Sequence, residues 1–92
     1  MRTYLAALFG LLLAAGCTAG GGTVVKGAGP NELLKLREGP GLNYRIIVGL
    51  PDGTRLRRQE CVTKNAKLWC RVSLAARPGV WGYVAAEYLS ES

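Results

Sequence analysis

Cys17 is the residue of this chain whose position most clearly indicates covalent chemistry. It follows the small residues Ala15 and Gly16, at the end of an apolar run that begins at Tyr4 after the charged Arg2. One positive charge, an apolar run of about a dozen residues and small residues at its end are the pattern of a secretory signal. A transmembrane helix needs about 20 apolar residues, so this run is too short to span a membrane. The mature chain is therefore predicted to work outside the cytoplasm.

The end of this signal resembles the cleavage box of bacterial lipoproteins. The stretch Leu13-Ala14-Ala15-Gly16-Cys17 matches the box at its last three positions, whereas Ala14 stands where a larger aliphatic residue is usual. The resemblance implies a lipoprotein signal peptide over 1–16 and acylation of Cys17 as the new N-terminus. The protein would then be a membrane-anchored lipoprotein of the cell envelope that faces the periplasm. Thr18 is compatible with the outer membrane if the host has two membranes. A soluble secreted protein and a retained anchor are the alternatives.

The other two cysteines, Cys61 and Cys70, are available to cross-link the folded part of the chain. Disulfides persist in exported proteins, and closing a loop of about ten residues stabilises a fold by roughly 2.5–3 kcal/mol in the chain-entropy model. We therefore predict a Cys61–Cys70 disulfide, with two buried free thiols as the alternative. Two cysteines without a histidine cannot complete a tetrahedral zinc site, so we predict no metal and no other cofactor.

Charge and acid content narrow the functions further. The chain carries 12 Lys+Arg against 6 Asp+Glu, and loss of Arg2 with the signal leaves a formal charge of +5. For an exported domain this charge favours anionic envelope polymers or lipid head groups over nucleic acid. Solvated surface charge is the alternative. There is no histidine, the acids form no evident pair, and no serine lies in a recognisable nucleophile motif. We therefore predict no catalytic residues and no enzyme activity.

The rest of the chain divides into a tether and one small domain. Residues 17–30 are Gly-rich with few large apolar side chains, so we predict a flexible tether there and a domain over 31–92. Short apolar segments separated by turn signals predict an all-β domain with five strands, at 33–37, 46–50, 55–62, 68–74 and 79–84. An open sheet of this size would leave its edges exposed, so we predict a strongly bent sheet closed into a small barrel.

Side-chain alternation adds one local prediction. In the fourth predicted strand, Leu68, Cys70, Val72 and Leu74 share one face, and Trp69, Arg71 and Ser73 share the other. In the third, simple alternation puts Cys61 on the face opposite to Leu56. A β-bulge near Gln59–Glu60 would bring the two cysteines to the same face.

The order of motifs in this domain resembles that of bacterial Src-homology-3-type domains. The resemblance covers about 33–89, nearly all of the folded part. Its motifs are the opening stretch Leu36-Arg37-Glu38-Gly39-Pro40-Gly41-Leu42-Asn43-Tyr44, the turn Pro51-Asp52-Gly53-Thr54, the strand Trp69-Cys70-Arg71-Val72, the step Gly82-Tyr83-Val84 and the closing Tyr88-Leu89. The resemblance implies a small five-stranded Src-homology-3-like barrel in which the Gly-Pro-Gly element opens a long loop beside a ligand groove.

The same resemblance implies that the domain binds a ligand. Aromatic side chains supply large contact area at low entropic cost, and related barrels hold an extended peptide in an aromatic-lined groove. The candidate ligand-binding residues are Tyr44, Trp69, Trp81, Tyr83, Tyr88 and Arg45, and each aromatic is also a candidate for the barrel core. Arg71 and Arg77, like Arg45, are further candidates for contacts with ligand carboxylates.

The predicted function is a lipid-anchored envelope module that recognises cell-wall peptide or another extended peptide. Its membrane contact would be the lipid on Cys17, and its partner a cell-wall peptide or an envelope protein, with no nucleic acid. One alternative is an envelope interaction or structural lipoprotein that binds no peptidoglycan. The other is a basic domain that binds anionic polymer by charge alone, which salt would weaken steeply.

Overall fold

The computed structural model describes residues 22–91, which form seven strands and one 3-10 helix. The strands are β1 (Thr23–Val25), β2 (Leu34–Arg37), β3 (Ile46–Leu50), β4 (Arg55–Lys64), β5 (Lys67–Leu74), β6 (Trp81–Ala85) and β7 (Leu89–Glu91), and the helix is Ala86–Tyr88. They make one curled antiparallel sheet in the order β3-β2-β6-β5-β4-β1-β7. The all-β prediction is confirmed, with two short strands more than the five predicted.

The predicted signal peptide over 1–16 and the predicted acylation site Cys17 lie outside the described residues, so both stay predictions. Within the described part of the chain, no helix has the length and hydropathy needed to span a bilayer.

The core lies inside the curl of the sheet, where alternate residues of the strands point. Its buried members are Val25, Leu34, Leu36, Leu50, Leu56, Cys70, Val72 and Val84. Gly82 allows the neighbouring strands β2 and β6 to lie close together. A Cβ at this position would lie 2.5 Å from the carbonyl oxygen of Arg37 and 3.1 Å from Cγ of Leu36. A side chain at Gly82 would therefore push the two strands apart.

The short strand β1 corrects part of the tether prediction. Thr23 pairs with Leu56 on one side and Glu91 on the other, and the Val25 side chain is only 2% exposed. The Val25 N–H donates to the Thr54 carbonyl at 3.0 Å, and the Val25 carbonyl accepts from the Gly53 N–H at 2.8 Å. The flexible tether predicted over 17–30 is therefore wrong for Thr23–Val25. Three residues among glycines give no periodic signal, and their place between β4 and β7 is set by long-range pairing.

Truncation of Val25 should test the contribution of β1 to stability. We expect Val25→Ala to lower the free energy of unfolding by about 2 kcal/mol, because methyl groups leave a fully packed site. Val24 is half-buried on the other face of the same strand, so Val24→Ala is the matched control and should cost less than about 1 kcal/mol. Denaturant melts of both variants make the comparison. Equal, small losses would show that β1 adds little to the core.

The β4–β5 hairpin contains the predicted bulge. Arg58 pairs with Val72 and Cys61 pairs with Cys70, with a register shift between the two pairs. Gln59 and Glu60 therefore oppose a single residue of β5, which confirms the bulge. The extra residue turns Cys61 towards the core face, where its sulfur is bonded to that of Cys70. The hairpin closes on two residues, Asn65 and Ala66, with φ values of 52° and 65°.

Candidate functional site

The outer face of the sheet carries most of the predicted binding residues. Across β5 and β6, Trp69 pairs with Ala85, Arg71 with Tyr83 and Ser73 with Trp81, while Arg37 on β2 pairs with Tyr83. Directly opposed residues of neighbouring strands lie on the same face of a sheet. These residues therefore share one face, and the prediction that Trp69, Arg71 and Ser73 lie together is confirmed.

Burial along β5 departs from the simple inside–outside pattern. Trp69 is 3% exposed and Ser73 is 5% exposed although both lie on the outer face, whereas Leu68 is 47% exposed. Leu68 pairs with Thr63 beside the hairpin turn, beyond the end of the core. Leu68 shares the face of Cys70 and Val72, as the alternation along β5 predicts, but it is exposed because it lies beyond the end of the core.

A groove of about 240 Å³ lies over Trp69 on this outer face. It runs between the long loop of residues 38–45 and the 3-10 helix, which contribute Leu42 and Tyr88 respectively. Its lining combines apolar, cationic and acidic side chains: Ala28, Glu32, Leu33, Leu34, Lys35, Arg37, Leu42, Lys67, Trp69, Ala85 and Tyr88. Three cations against one acid on an aromatic floor suit an extended segment that carries carboxylates.

Arg37 holds the long loop in place beside this groove. Its Nη1 donates to the carbonyl oxygens of Leu42 at 3.1 Å and of Tyr44 at 3.0 Å. The Tyr44 ring lies on Gly39, where an added Cβ would be only 2.7 Å from Cζ of the ring. The Arg-x-Gly-Pro-Gly signature thus fixes the loop conformation: the arginine ties the loop to β2, and the glycine makes room for the tyrosine. The sequence reasoning missed Arg37 as a groove residue, although it lies in that signature.

A second, shallower depression lies around Trp81. The Trp81 ring is 47% exposed, and the Arg71 guanidinium carbon lies 4.3 Å from its centroid. This is the geometry of a cation–π contact. The depression is lined by Glu38, Arg45, Ile46, Ile47, Gly79, Val80 and Trp81, none of which lines the groove. At its edge the Arg45 Nη2 pairs with the Glu38 carboxylate at 2.6 Å.

The six predicted ligand-binding residues therefore do not meet at one place. Trp69 and Tyr88 line the groove, whereas Arg45 and Trp81 line the depression. Tyr83 lies on β6 between Ala85, which lines the groove, and Trp81. Tyr44 lies on the long loop and is 38% exposed, so neither Tyr44 nor Trp81 is part of the buried core. The part that each residue takes in binding stays a prediction.

Groove residues that the sequence reasoning did not select are mostly loop and strand-edge side chains. Leu33, Lys35 and Leu42 all line the groove. None has an aromatic ring or a motif of its own, and their convergence depends on how the long loop folds over β2. The local sequence carries no signal for that convergence.

A small curled β-sheet with a groove between a long loop and a 3-10 helix defines a compact binding domain. Residues 32–90 match the family model of the bacterial SH3 domain, which spans well over half of the chain. The chain therefore belongs to the bacterial SH3 domain family, and the resemblance seen in its motifs is confirmed. Domains of this family are protein-interaction or cell-wall-binding modules and are generally non-enzymatic. No curated protein and no solved structure matches the chain.

The described residues also bear on metal binding. Over residues 22–91, no cluster of three or more histidine, cysteine, aspartate or glutamate side chains has the arrangement needed to hold an ion.

Proposed function

We propose that this chain is a lipid-anchored envelope protein whose SH3 domain binds cell-wall peptide, or another extended envelope peptide, in the groove over Trp69. The observation that carries the proposal is the groove itself. It has an aromatic floor of Trp69 and Tyr88 and cations along its sides, on a domain of a family of binding modules.

Each part of the groove has a role in this proposal. The Tyr88 ring and the Leu42 side chain would pack against the peptide above the nearly buried Trp69, excluding water from the polar contacts of the peptide. Lys35 has no ion-pair partner among residues 22–91, so its ammonium group is available to a ligand carboxylate. The Nη1 atom of Arg37 donates to the loop, but the guanidinium group has further N–H groups that could donate to a ligand carboxylate. Carboxylates are the groups that cell-wall peptides and acidic protein segments present.

A charge placed at the edge of the groove should weaken binding without unfolding the domain. Leu42 is 71% exposed, so we expect Leu42→Glu to change stability by less than about 0.5 kcal/mol. The same change should reduce retention on purified cell wall by roughly 5- to 30-fold, because the new carboxylate would be buried at the contact and would repel the carboxylates of the ligand. Leu68→Glu is the matched control: Leu68 is an exposed leucine that does not line the groove. It should bind like the parent.

The same variants distinguish the partners. Purified cell wall and affinity capture from envelope extracts are run in parallel, each at low and high salt. A protein partner is indicated if only the extract yields binding and Leu42→Glu removes it. If high salt removes binding but Leu42→Glu does not, the ligand is bound by surface charge alone. That result would contradict peptide binding in the groove.

A further inference from the structure

The depression around Trp81 is part of an exposed apolar surface that the peptide groove does not use. Ile46 is 46%, Ile47 42% and Trp81 47% exposed, and the half-buried Val80, the residue before β6, lines the same depression. We call these four side chains the Trp81 patch. Contiguous apolar surface of this kind marks an interaction site in a soluble domain.

Arginines surround one side of the Trp81 patch. Arg71 stacks on the Trp81 ring, and Arg57 pairs with Ser73, which itself pairs with Trp81. The Arg77 carbonyl accepts the Val80 N–H at 2.9 Å, so Arg77 adjoins the patch through the loop. Neither Arg57 nor Arg77 has an ion-pair partner within residues 22–91. An apolar centre with a tryptophan and an arginine rim is the composition that lies at the boundary of anionic lipid.

The chain enters the domain at the same end of the sheet as this patch. Thr23 pairs with Leu56, Leu56 pairs with Leu74, and the Leu74 N–H donates to the Val80 carbonyl at 3.0 Å. Thr23, the first residue of β1, and Val80 therefore belong to the same row of paired residues, which runs across the strands of the sheet. Thr23 is the sixth residue after Cys17, and six residues of fully extended chain span at most about 20 Å. With lipid on Cys17, this end of the domain would have to stay close to the membrane.

We propose that the Trp81 patch rests on the membrane that holds the lipid anchor, with Trp81 at head-group level and its arginines on anionic head groups. This orientation rests on the proposed lipid anchor and goes beyond the peptide-binding function. A second copy of the chain is a poorer occupant, because residues 22–91 carry 11 cationic against 6 acidic side chains and the arginine rims would repel. The groove shares no lining residue with the patch and would stay open to peptide.

Fluorescence of the two tryptophans tests this orientation. The native protein, extracted from membranes, is reconstituted into phosphatidylglycerol or phosphatidylcholine vesicles whose acyl chains are brominated near the head group. We expect bromine to quench the exposed Trp81 in anionic vesicles, with at least about twofold less quenching in zwitterionic vesicles or at high salt. Trp81→Phe leaves only the buried Trp69 and should remove the quenching.

A matched pair of variants locates the contact. Ile46 and Leu68 are 46% and 47% exposed, but only Ile46 belongs to the patch. Ile46→Glu should abolish quenching while retaining cell-wall binding, and Leu68→Glu should leave both unchanged. The orientation would be overturned if Trp81 is not quenched in the folded, vesicle-bound parent. It would also be overturned if Ile46→Glu protein is quenched as strongly as the parent. Flotation of the vesicles reports the anchor separately: protein that does not float would refute the lipid anchor and the orientation that rests on it.

Discussion

Reduction of the Cys61–Cys70 disulfide is expected to lower the melting temperature of this domain by roughly 10–20 °C. The two cysteines are directly opposed in the β4–β5 hairpin and their sulfurs are bonded. Because the bond lowers the conformational entropy of the unfolded chain, it raises the free energy of unfolding by roughly 2.5–3 kcal/mol. Each kcal/mol shifts the melting temperature of a domain this small by about 4–8 °C. Thermal melts with and without a reductant, together with non-reducing peptide mapping, make the measurement.

The Cys61→Ser, Cys70→Ser double variant controls for effects of the reductant on the rest of the protein. Its melting temperature should match that of the reduced parent and should not respond to reductant. Free thiols at both positions in protein taken from the envelope would contradict the disulfide. A melting temperature that stays constant while both thiols become reactive would show that the bond contributes no stability.

Replacement of Cys17 is expected to abolish membrane anchoring altogether. The small residues Ala15 and Gly16 before Cys17 match the lipoprotein cleavage box, and without the thiol no acyl chain can be attached. We expect mass spectrometry to detect acyl chains on the parent and none on Cys17→Ser protein, which should leave the membrane fraction or accumulate unprocessed.

The adjacent change Thr18→Ala serves as the matched control for Cys17, because it alters the same segment while keeping the thiol. It should be processed and lipidated like the parent. An unmodified mature N-terminus at a residue after Cys17, in the parent protein, would contradict lipidation.

The strands with strong local signals were predictable from the sequence. The strand predicted over 46–50 coincides with β3, and the motif Pro51-Asp52-Gly53-Thr54 occupies the turn before β4. The bulge at Gln59 and Glu60 could be predicted because both the cysteine pairing and the alternation of β5 constrained it. Two independent constraints on one strand fixed its register, which neither would have done alone.

The missed features depend on long-range contacts. Thr23–Val25 and Leu89–Glu91 are each three residues long, and they become strands because they pair with each other and, for β1, with β4. The exposure of Leu68 depends on where the core ends beneath the hairpin. The groove likewise arises where the long loop meets β2 and the 3-10 helix. The sequence therefore identified the aromatic residues as binding candidates, but it carried no signal that they lie on two separate surfaces.

The measurement that tests the central claim most directly is a titration of the ¹⁵N-labelled protein, in detergent micelles, with peptides released from purified cell wall. If the groove binds peptide, amide resonances of Lys35, Leu42 and Ala85 should shift progressively and saturably, because these residues line it. The resonance of Arg57 on β4, which lies outside the groove and has no chain neighbour in it, should stay in place. Shifts centred on Arg45 and Trp81, or a saturating titration that leaves the groove resonances unmoved, would contradict peptide binding in the groove.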